Sequence, residues 1–487
     1  MPELNHKSVA VLGLGQRGQA ACRLLLQAGA RVVALDTADT PALRAAAAEL
    51  TGLGVRVELG CSGAPVCNRP GAMSPPSRLQ TGAPLGVPAD PFDLAVLSPG
   101  VSPASALAQE FRQRGVPLMG ELELGCQRAR CLTLALAGTN GKATTARMIA
   151  AMLARENRHA VICGHQGHPI CAALAESNEL DYLVLIASAF QLETTTLFRP
   201  SVAVVTNLAP DCLDRYASFE AYCRAVARVF ANQQPFDWAI VQAEALATLS
   251  QLGLAPRGKV VTFSAADREA DLWFDRGLLL SRVPGWEGPL LDTANCALRG
   301  PHNAENFMAA LAVGRALRLS LESGVTVLRD LTPAPHCGEL IAEHRGVQFI
   351  NDSKATNPHA MQQAIGAIPP VPAGLPNVWL IAGGRDKGLD FHNAAPLVSR
   401  RVKGAFLLGE ARELLRSAWG LFTPCRLVNS LAEAVAEAAQ SAVPGDVVLL
   451  SPACSSYDQF RDYQHRGDVF REAVHAICKG DNESDPV

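Results

Sequence analysis

ALAGTNGKATTARMIAAML, residues 135–153, decides how this chain is read. Small apolar residues lead straight into Gly138, Thr139, Asn140, Gly141, Lys142, Ala143 and Thr144, and a helix-period run follows. A strand, a glycine turn and a helix start in that order form a phosphate cradle. Backbone N–H groups and the helix terminus face the anion, and Lys142 supplies a positive charge. The loop is a compressed Gly-Thr-Asn-Gly-Lys rather than the longer GxxxxGK[ST] spacing. Ala143 stands where such loops place a magnesium-binding hydroxyl. Thr144 and Thr145 carry hydroxyls, but each helical residue turns its side chain by about 100°, so neither substitutes automatically. A plain glycine turn with a solvated lysine is the competing reading, and the flanking strand and helix argue against it.

The 487 residues suggest about three domains. Apolar residues make up 48% and charged residues 18%, enough for several packed cores. A net charge of -3 gives no pull toward nucleic acid or an acidic membrane. No apolar run is long enough for a membrane span, and MPELNHKSVAVLGLG runs from a short polar leader into a strand. The expected location is the cytoplasm. The 14 cysteines form no CxxC pair and are read as reduced thiols.

Short apolar strands alternate with longer amphipathic helices, which predicts an α/β fold with parallel sheets. Three blocks follow: one from SVAVLGLG through RVVALD and DLAVLSPG, one from LTLALAGTNGK through DYLVLIA and SVAVVTNLA, and one holding GVQFINDSKATN, NVWLIAGGRDKG and DVVLLSPACSS. The expected domains are 1–127, 128–333 and 334–487, with a Gly-, Pro- and Ser-rich surface insertion at 60–91. Ligands of open α/β sheets bind at the carboxyl ends of the strands.

GLGQRG places Gly13, Gly15 and Gly18 after the first strand, and Asp36 ends the next one. Glycines there admit a phosphate near a helix N-terminus, and the carboxylate suits a ribose hydroxyl. An anionic or nucleotide ligand is expected. A dinucleotide oxidoreductase rests on this motif alone and leaves the other two blocks without a role.

GTNGK, FQLETT, LDRY, GPHNAEN, NDSKATN, DKGLDF and SPACSSYDQFRDYQHRGDVF occur in the order found in Mur ligases. The chain resembles that family over nearly its whole length, most of all the members that add D-glutamate to UDP-N-acetylmuramoyl-L-alanine. The resemblance implies a Rossmann-like N-terminal domain for the UDP substrate, a central P-loop ATPase-like domain and a Rossmann-like C-terminal domain for the amino acid. It implies ATP and magnesium as cofactors, and phosphorylation of the alanyl carboxylate followed by attack of the glutamate amine. Gly15, Gln16, Arg17, Asp36, Ser98, Pro99 and Gly100 then belong to the UDP site. Residues 138–144, with Asn303 and Asp352, belong to the ATP site, and Lys142, Lys354 and Asp352 to the chemistry. Thr356, Lys387, Ser456 and Tyr463 fall at positions that hold D-glutamate, with Tyr463 replacing a common phenylalanine.

The departures share one theme. A family glutamate that binds magnesium is Ile186, a metal-binding histidine is Cys212, and a carbamylated lysine is Val226. No lysine occurs between Lys142 and Lys259, so an alignment slip does not restore it. A family arginine is Cys337, and a loop asparagine is His165. Ala143, Ile186, Cys212 and Val226 all replace magnesium-linked groups. Glu193, Asp211, Asp214 and His165 are the groups from which a rearranged metal site could be built. Two function classes therefore stand. One is a ligase, active or impaired. The other is a non-catalytic member that binds the UDP-muramyl precursor or partner cell-wall enzymes.

Overall fold

The computed structural model describes residues 4–61, 90–165, 167–176, 179–371 and 374–480. Most of the insertion expected at 60–91 lies outside the described residues. Among the described residues, twenty strands form three sheets.

The first sheet holds β1 (Ser8–Leu12), β2 (Arg31–Asp36), β3 (Arg56–Leu59), β4 (Leu94–Leu97) and β5 (Leu118–Gly120). Its order is β3-β2-β1-β4-β5, with every pairing parallel. The order reverses between β1 and β4, so the turns leaving them meet. A Cβ on Gly13, whose φ is 92°, would lie 3.1 Å from the Ser98 Cβ. A side chain at Gly18 would collide with the Gly13 carbonyl, which explains a glycine there by close packing alone.

The second sheet holds β6 (Leu132–Ala137), β7 (Ala160–Gly164), β8 (Tyr182–Ile186), β9 (Val202–Val205), β10 (Trp238–Gln242), β11 (Lys259–Ser264), β12 (Leu272–Asp275), β13 (Leu278–Ser281) and β14 (Gly288–Asp292). Its order is β14-β13-β12-β11-β10-β9-β6-β8-β7. β12 to β14 close it as an antiparallel meander. The parallel-sheet expectation omits this edge because LWFDRGLLLS is a hairpin, with Arg276 and Gly277 both at positive φ. The central strands β6, β8 and β9 are almost wholly apolar because both faces are covered. Alternate residues of β6 serve two cores: Leu134 and Leu136 pack under the helix Pro301–Ala316, and Ala135 and Ala137 face the opposite side.

The third sheet holds β15 (Glu339–His344), β16 (Val347–Asn351), β17 (Val378–Gly383), β18 (Val402–Leu408), β19 (Cys425–Leu427) and β20 (Val447–Leu450). Its order is β15-β16-β20-β17-β18-β19, parallel except for β15. With β16, β20 and β17 adjacent, NDSKATN, SPACSS and GGRDKG leave neighbouring carboxyl ends. Among the described residues, no helix is long and apolar enough to cross a membrane.

Candidate active site at the meeting of three sheets

The phosphate loop follows β6 and opens the helix Lys142–Arg155. Gly138 and Gly141 have φ of 111° and 87°, and a Cβ on Gly138 would sit 2.6 Å from Thr206 Oγ1. Glycine is required at both places. Thr139 is buried; its hydroxyl lies 3.0 Å from the Tyr222 hydroxyl and accepts from the Ala209 N–H at 3.0 Å. Asn207 Oδ1 accepts the Asn140 N–H at 2.9 Å. Thr206, Asn207, Tyr222 and Asn306 thus hold the loop, and sequence reading missed all four because each lies far along the chain.

The Lys142 ammonium donates to the carbonyls of Gly138 at 2.6 Å and Thr139 at 2.8 Å. Burial lowers its pKa to about 8, opposed by the charges of Asp211 and Cys212 and assisted by Lys354 and Lys387. Three lysines from two sheets therefore share one field. Thr145 turns inward onto Asn306 Oδ1 at 3.1 Å, which takes its hydroxyl away from the cleft. Thr144 is half-buried, and Ala143 packs against the apolar core. Asn303 bonds at the start of the helix Pro301–Ala316, donating to the Arg299 carbonyl at 2.8 Å and accepting from Asn306 at 3.2 Å.

NDSKATN reaches across to this loop. Asn357 caps the helix Pro358–Ala367, its Oδ1 accepts from Asn140 at 3.2 Å, and its Nδ2 donates to Asn140 Oδ1 at 3.1 Å. Asn140 also lies 2.8 Å from His359 Nδ1. Asp352 accepts from the Ser451 hydroxyl at 3.0 Å and the Gly338 N–H at 3.1 Å, and burial raises its pKa to about 7. Lys354 Nζ lies 5.9 Å from the Tyr463 ring centroid. Thr356 is half-buried beside them, and Ser456 is buried. Buried Arg466 ties the segments together, donating to Ser353 Oγ at 3.0 Å, the Ser353 carbonyl at 2.8 Å and the Cys454 carbonyl at 3.1 Å. The arginine of the RGD tripeptide carried that signal in the sequence and was not singled out.

Lys387 forms an ion pair with Asp211 at 3.0 Å. Glu193 pairs with Arg215 at 3.0 Å, and Asp214 is exposed. The His165 ring is held neutral, its pKa lowered to about 4 by burial and by Lys142 and Arg17. Its backbone N–H donates to the Ile186 carbonyl at 2.7 Å. Ile186 is 2% exposed and Val226 1%; they pack in two different apolar clusters. Among the described residues, no three His, Cys, Asp or Glu side chains are grouped to hold a metal ion. The donor set does not suit magnesium. Arg147 lies near enough to Cys337 to oppose the rise that burial gives its thiol pKa, and one guanidinium nitrogen of Arg147 is buried without a partner.

In the first sheet Gly15 opens the helix Gln16–Gln27 with no side-chain cap and open space where a Cβ would go. Gln16 and Gly100 are exposed, Pro99 is half-buried and Ser98 is buried. Asp36, expected as a ribose acceptor, also has a structural task. Its two oxygens accept the Leu14 N–H at 2.7 Å and the Ala38 N–H at 2.9 Å, bracing the turn. Arg17 donates to the Gly164 carbonyl at 2.9 Å and to the His165 carbonyl, joining the first sheet to the second beside the phosphate loop.

Three sheets thus deliver a phosphate loop, two lysine-bearing loops and an open helix start to one cleft. Residues 136–314 match the Mur ligase middle domain and residues 338–454 the Mur ligase glutamate ligase domain. A UDP-N-acetylmuramoylalanine--D-glutamate ligase of Acidobacterium capsulatum is 36% identical, over 97% of this chain and 97% of that protein. The chain belongs to the Mur ligase family. The Anaeromyxobacter dehalogenans ligase of the same name is 38% identical over 96% of this chain and 98% of its own length. The Mur ligase fold is likewise that of a pseudomurein peptide ligase type C from Methanothermus fervidus. That structure is 15% identical with a TM-score of 0.59, covering 97% of this chain and 100% of the other. MurF ligase from Thermotoga maritima, solved in complex with ADP, gives 14% and 0.58, covering 98% and 96%.

Proposed function

We propose that this protein joins D-glutamate to UDP-N-acetylmuramoyl-L-alanine at the expense of ATP, in peptidoglycan precursor synthesis. The near full-length similarity to ligases of that name carries the reading. In it, residues 1–127, 128–333 and 334–487 act as UDP-substrate, ATP and amino-acid domains. The loop 138–144 and Lys142 hold the triphosphate, with Asn303 near the base. The open helix start at Gly15 and Gln16, with Arg17, Asp36 and the turn at Ser98, Pro99 and Gly100, takes the UDP group. Lys387, Thr356, Ser456 and Tyr463 orient glutamate.

The chemistry asks the site to neutralise crowded oxygens while two groups align. The alanyl carboxylate takes the γ-phosphoryl group, ADP departs, the glutamate amine attacks the acyl carbon, and phosphate leaves with its oxygen. Lys142 and Lys354 offset the charge that develops on the phosphoryl oxygens. Asp352, held by Ser451 and Gly338, keeps the NDSKATN turn in place.

A second reading, a non-catalytic family member that binds the precursor or other cell-wall enzymes, is favoured by Ile186 and Val226, which fill metal-linked places with buried apolar groups. One experiment separates the two. The purified chain is incubated with ATP, magnesium, UDP-N-acetylmuramoyl-L-alanine and D-glutamate, and phosphate release and the dipeptide product are measured. Stoichiometric product and phosphate support the ligase. Precursor binding by calorimetry without turnover supports the binding protein, and absence of both removes both readings.

A further inference from the structure

The cleft is richer in cations than in free carboxylates. Lys142 sits on the loop carbonyls, Lys354 lies over Tyr463, and Lys387 pairs with Asp211. Arg147, near Cys337, donates to the Thr332 carbonyl at 3.2 Å and keeps its other terminal guanidinium nitrogen buried without a partner. The carboxylates are committed elsewhere. Asp211 is bound to Lys387, Asp352 accepts from Ser451 and Gly338, and Glu193 is paired with Arg215. Asp214 is left, exposed to solvent.

Magnesium is ordinarily held by one or two carboxylates together with phosphate oxygens and waters. Here it would approach three ammonium groups, whose repulsion is weakly screened inside a cleft. Ile186 and Val226 close two further places with hydrocarbon. A nucleoside triphosphate carries about four negative charges and meets the opposite field.

We propose that this cleft binds a nucleoside triphosphate with its own ammonium groups as counter-charges, so that binding does not depend on a divalent cation. The inference rests on the reading of residues 138–144 as the nucleotide site. Asp211 then acts as a moderator of that field, its charge acting on Lys142 as well as pairing with Lys387.

The test is calorimetric titration of the full chain with ATP, once in chelator and once in millimolar magnesium. Affinity in chelator should equal or exceed that in magnesium, since magnesium holds ATP in solution as a less negative complex and no protein carboxylate gains a metal bond. Tightening by tenfold or more in magnesium overturns the proposal and leaves the nucleotide site standing; absence of binding in both buffers removes both. A second variant guards against compensation. Asp211→Asn should tighten ATP in chelator by about twofold or more, since it removes a largely buried carboxylate that offsets the neighbouring lysines. Weaker binding seen only in magnesium would mark Asp211 as a metal ligand and overturn the proposal. Thermal melting of the variant, matched to the parent, keeps that comparison free of folding loss.

Discussion

Lys387 Nζ lies 3.0 Å from Asp211 Oδ1, in an ion pair that joins the loop after β17 to the loop after β9. Both side chains are largely buried, 16% and 15% exposed. The pair therefore couples the second sheet to the third, and it ties up the ammonium assigned to the incoming glutamate. Substrate must compete with Asp211 or share Lys387 with it. Lys387→Met should raise the KM for D-glutamate about tenfold or more, the scale of one charge-assisted hydrogen bond. Lys387→Arg should recover part of it. Steady-state kinetics with glutamate varied checks this; an unchanged KM removes Lys387 from the glutamate site.

Lys142 links nucleotide binding to protons. With its pKa lowered to about 8, the free protein holds it largely neutral at pH 9. A bound polyphosphate favours the ammonium form. ATP binding at pH 9 should therefore take up a fraction of a proton, and affinity should fall as pH rises from about 8 to 10. Calorimetry in two buffers of different ionisation enthalpy measures the uptake. Lys142→Met should abolish it along with most of the affinity.

Asp352 makes an opposite prediction for folding. Its folded pKa is raised to about 7 from an ordinary 3.8, burial being the largest cause. Between those values the folded state binds more protons than the unfolded one. Its contribution to stability is present in acid and is lost as pH rises toward 7. Relative to the parent, Asp352→Asn should gain in melting temperature from pH 4 to 7 and level off above. A difference that is flat with pH would show that the carboxylate is not perturbed.

Local signals made the loops legible in the sequence, and distance hid what holds them. Gly138 and Gly141 are readable because a positive φ beside a helix start demands glycine. The apolar runs of β6, β8 and β9 are readable because both faces of the sheet are covered. Asn207, Tyr222 and Asn306 give no such cue; each is an ordinary polar residue until the fold brings it to Thr139, Asn140 or Thr145. Asp36 mixes the two cases. A carboxylate at a strand end reads as a ribose acceptor, while the bonds it accepts from the Leu14 and Ala38 N–H groups, which brace the turn, show only in the fold.

Val226 bears on the replaced metal positions most directly. Tyr222 lies one helical turn before it on the helix Phe219–Ala227 and reaches Thr139, so Val226 shares the helix face that supports the phosphate loop. Val226→Lys would bury an unpaired ammonium and should cost a few kcal/mol, as should Ile186→Glu with its carboxylate. The two side chains pack in different clusters, so the new charges would not neutralise each other directly. The double variant should lose about as much as the two single ones together. Only the fivefold set Ala143→Thr, Ile186→Glu, Cys212→His, Val226→Lys and Cys337→Arg supplies a donor group around which an ion could be anchored. Its melting temperature should rise when magnesium is added together with bicarbonate, which supplies the carbamate that the lysine introduced at position 226 needs to hold the ion, while the parent and the single variants stay flat. Any gain in ligase rate should be steeply non-additive, because ligands around one ion act as a unit. A parent protein whose melting temperature already climbs with magnesium would mean that it holds the ion through other groups, and that these replacements did not remove the metal.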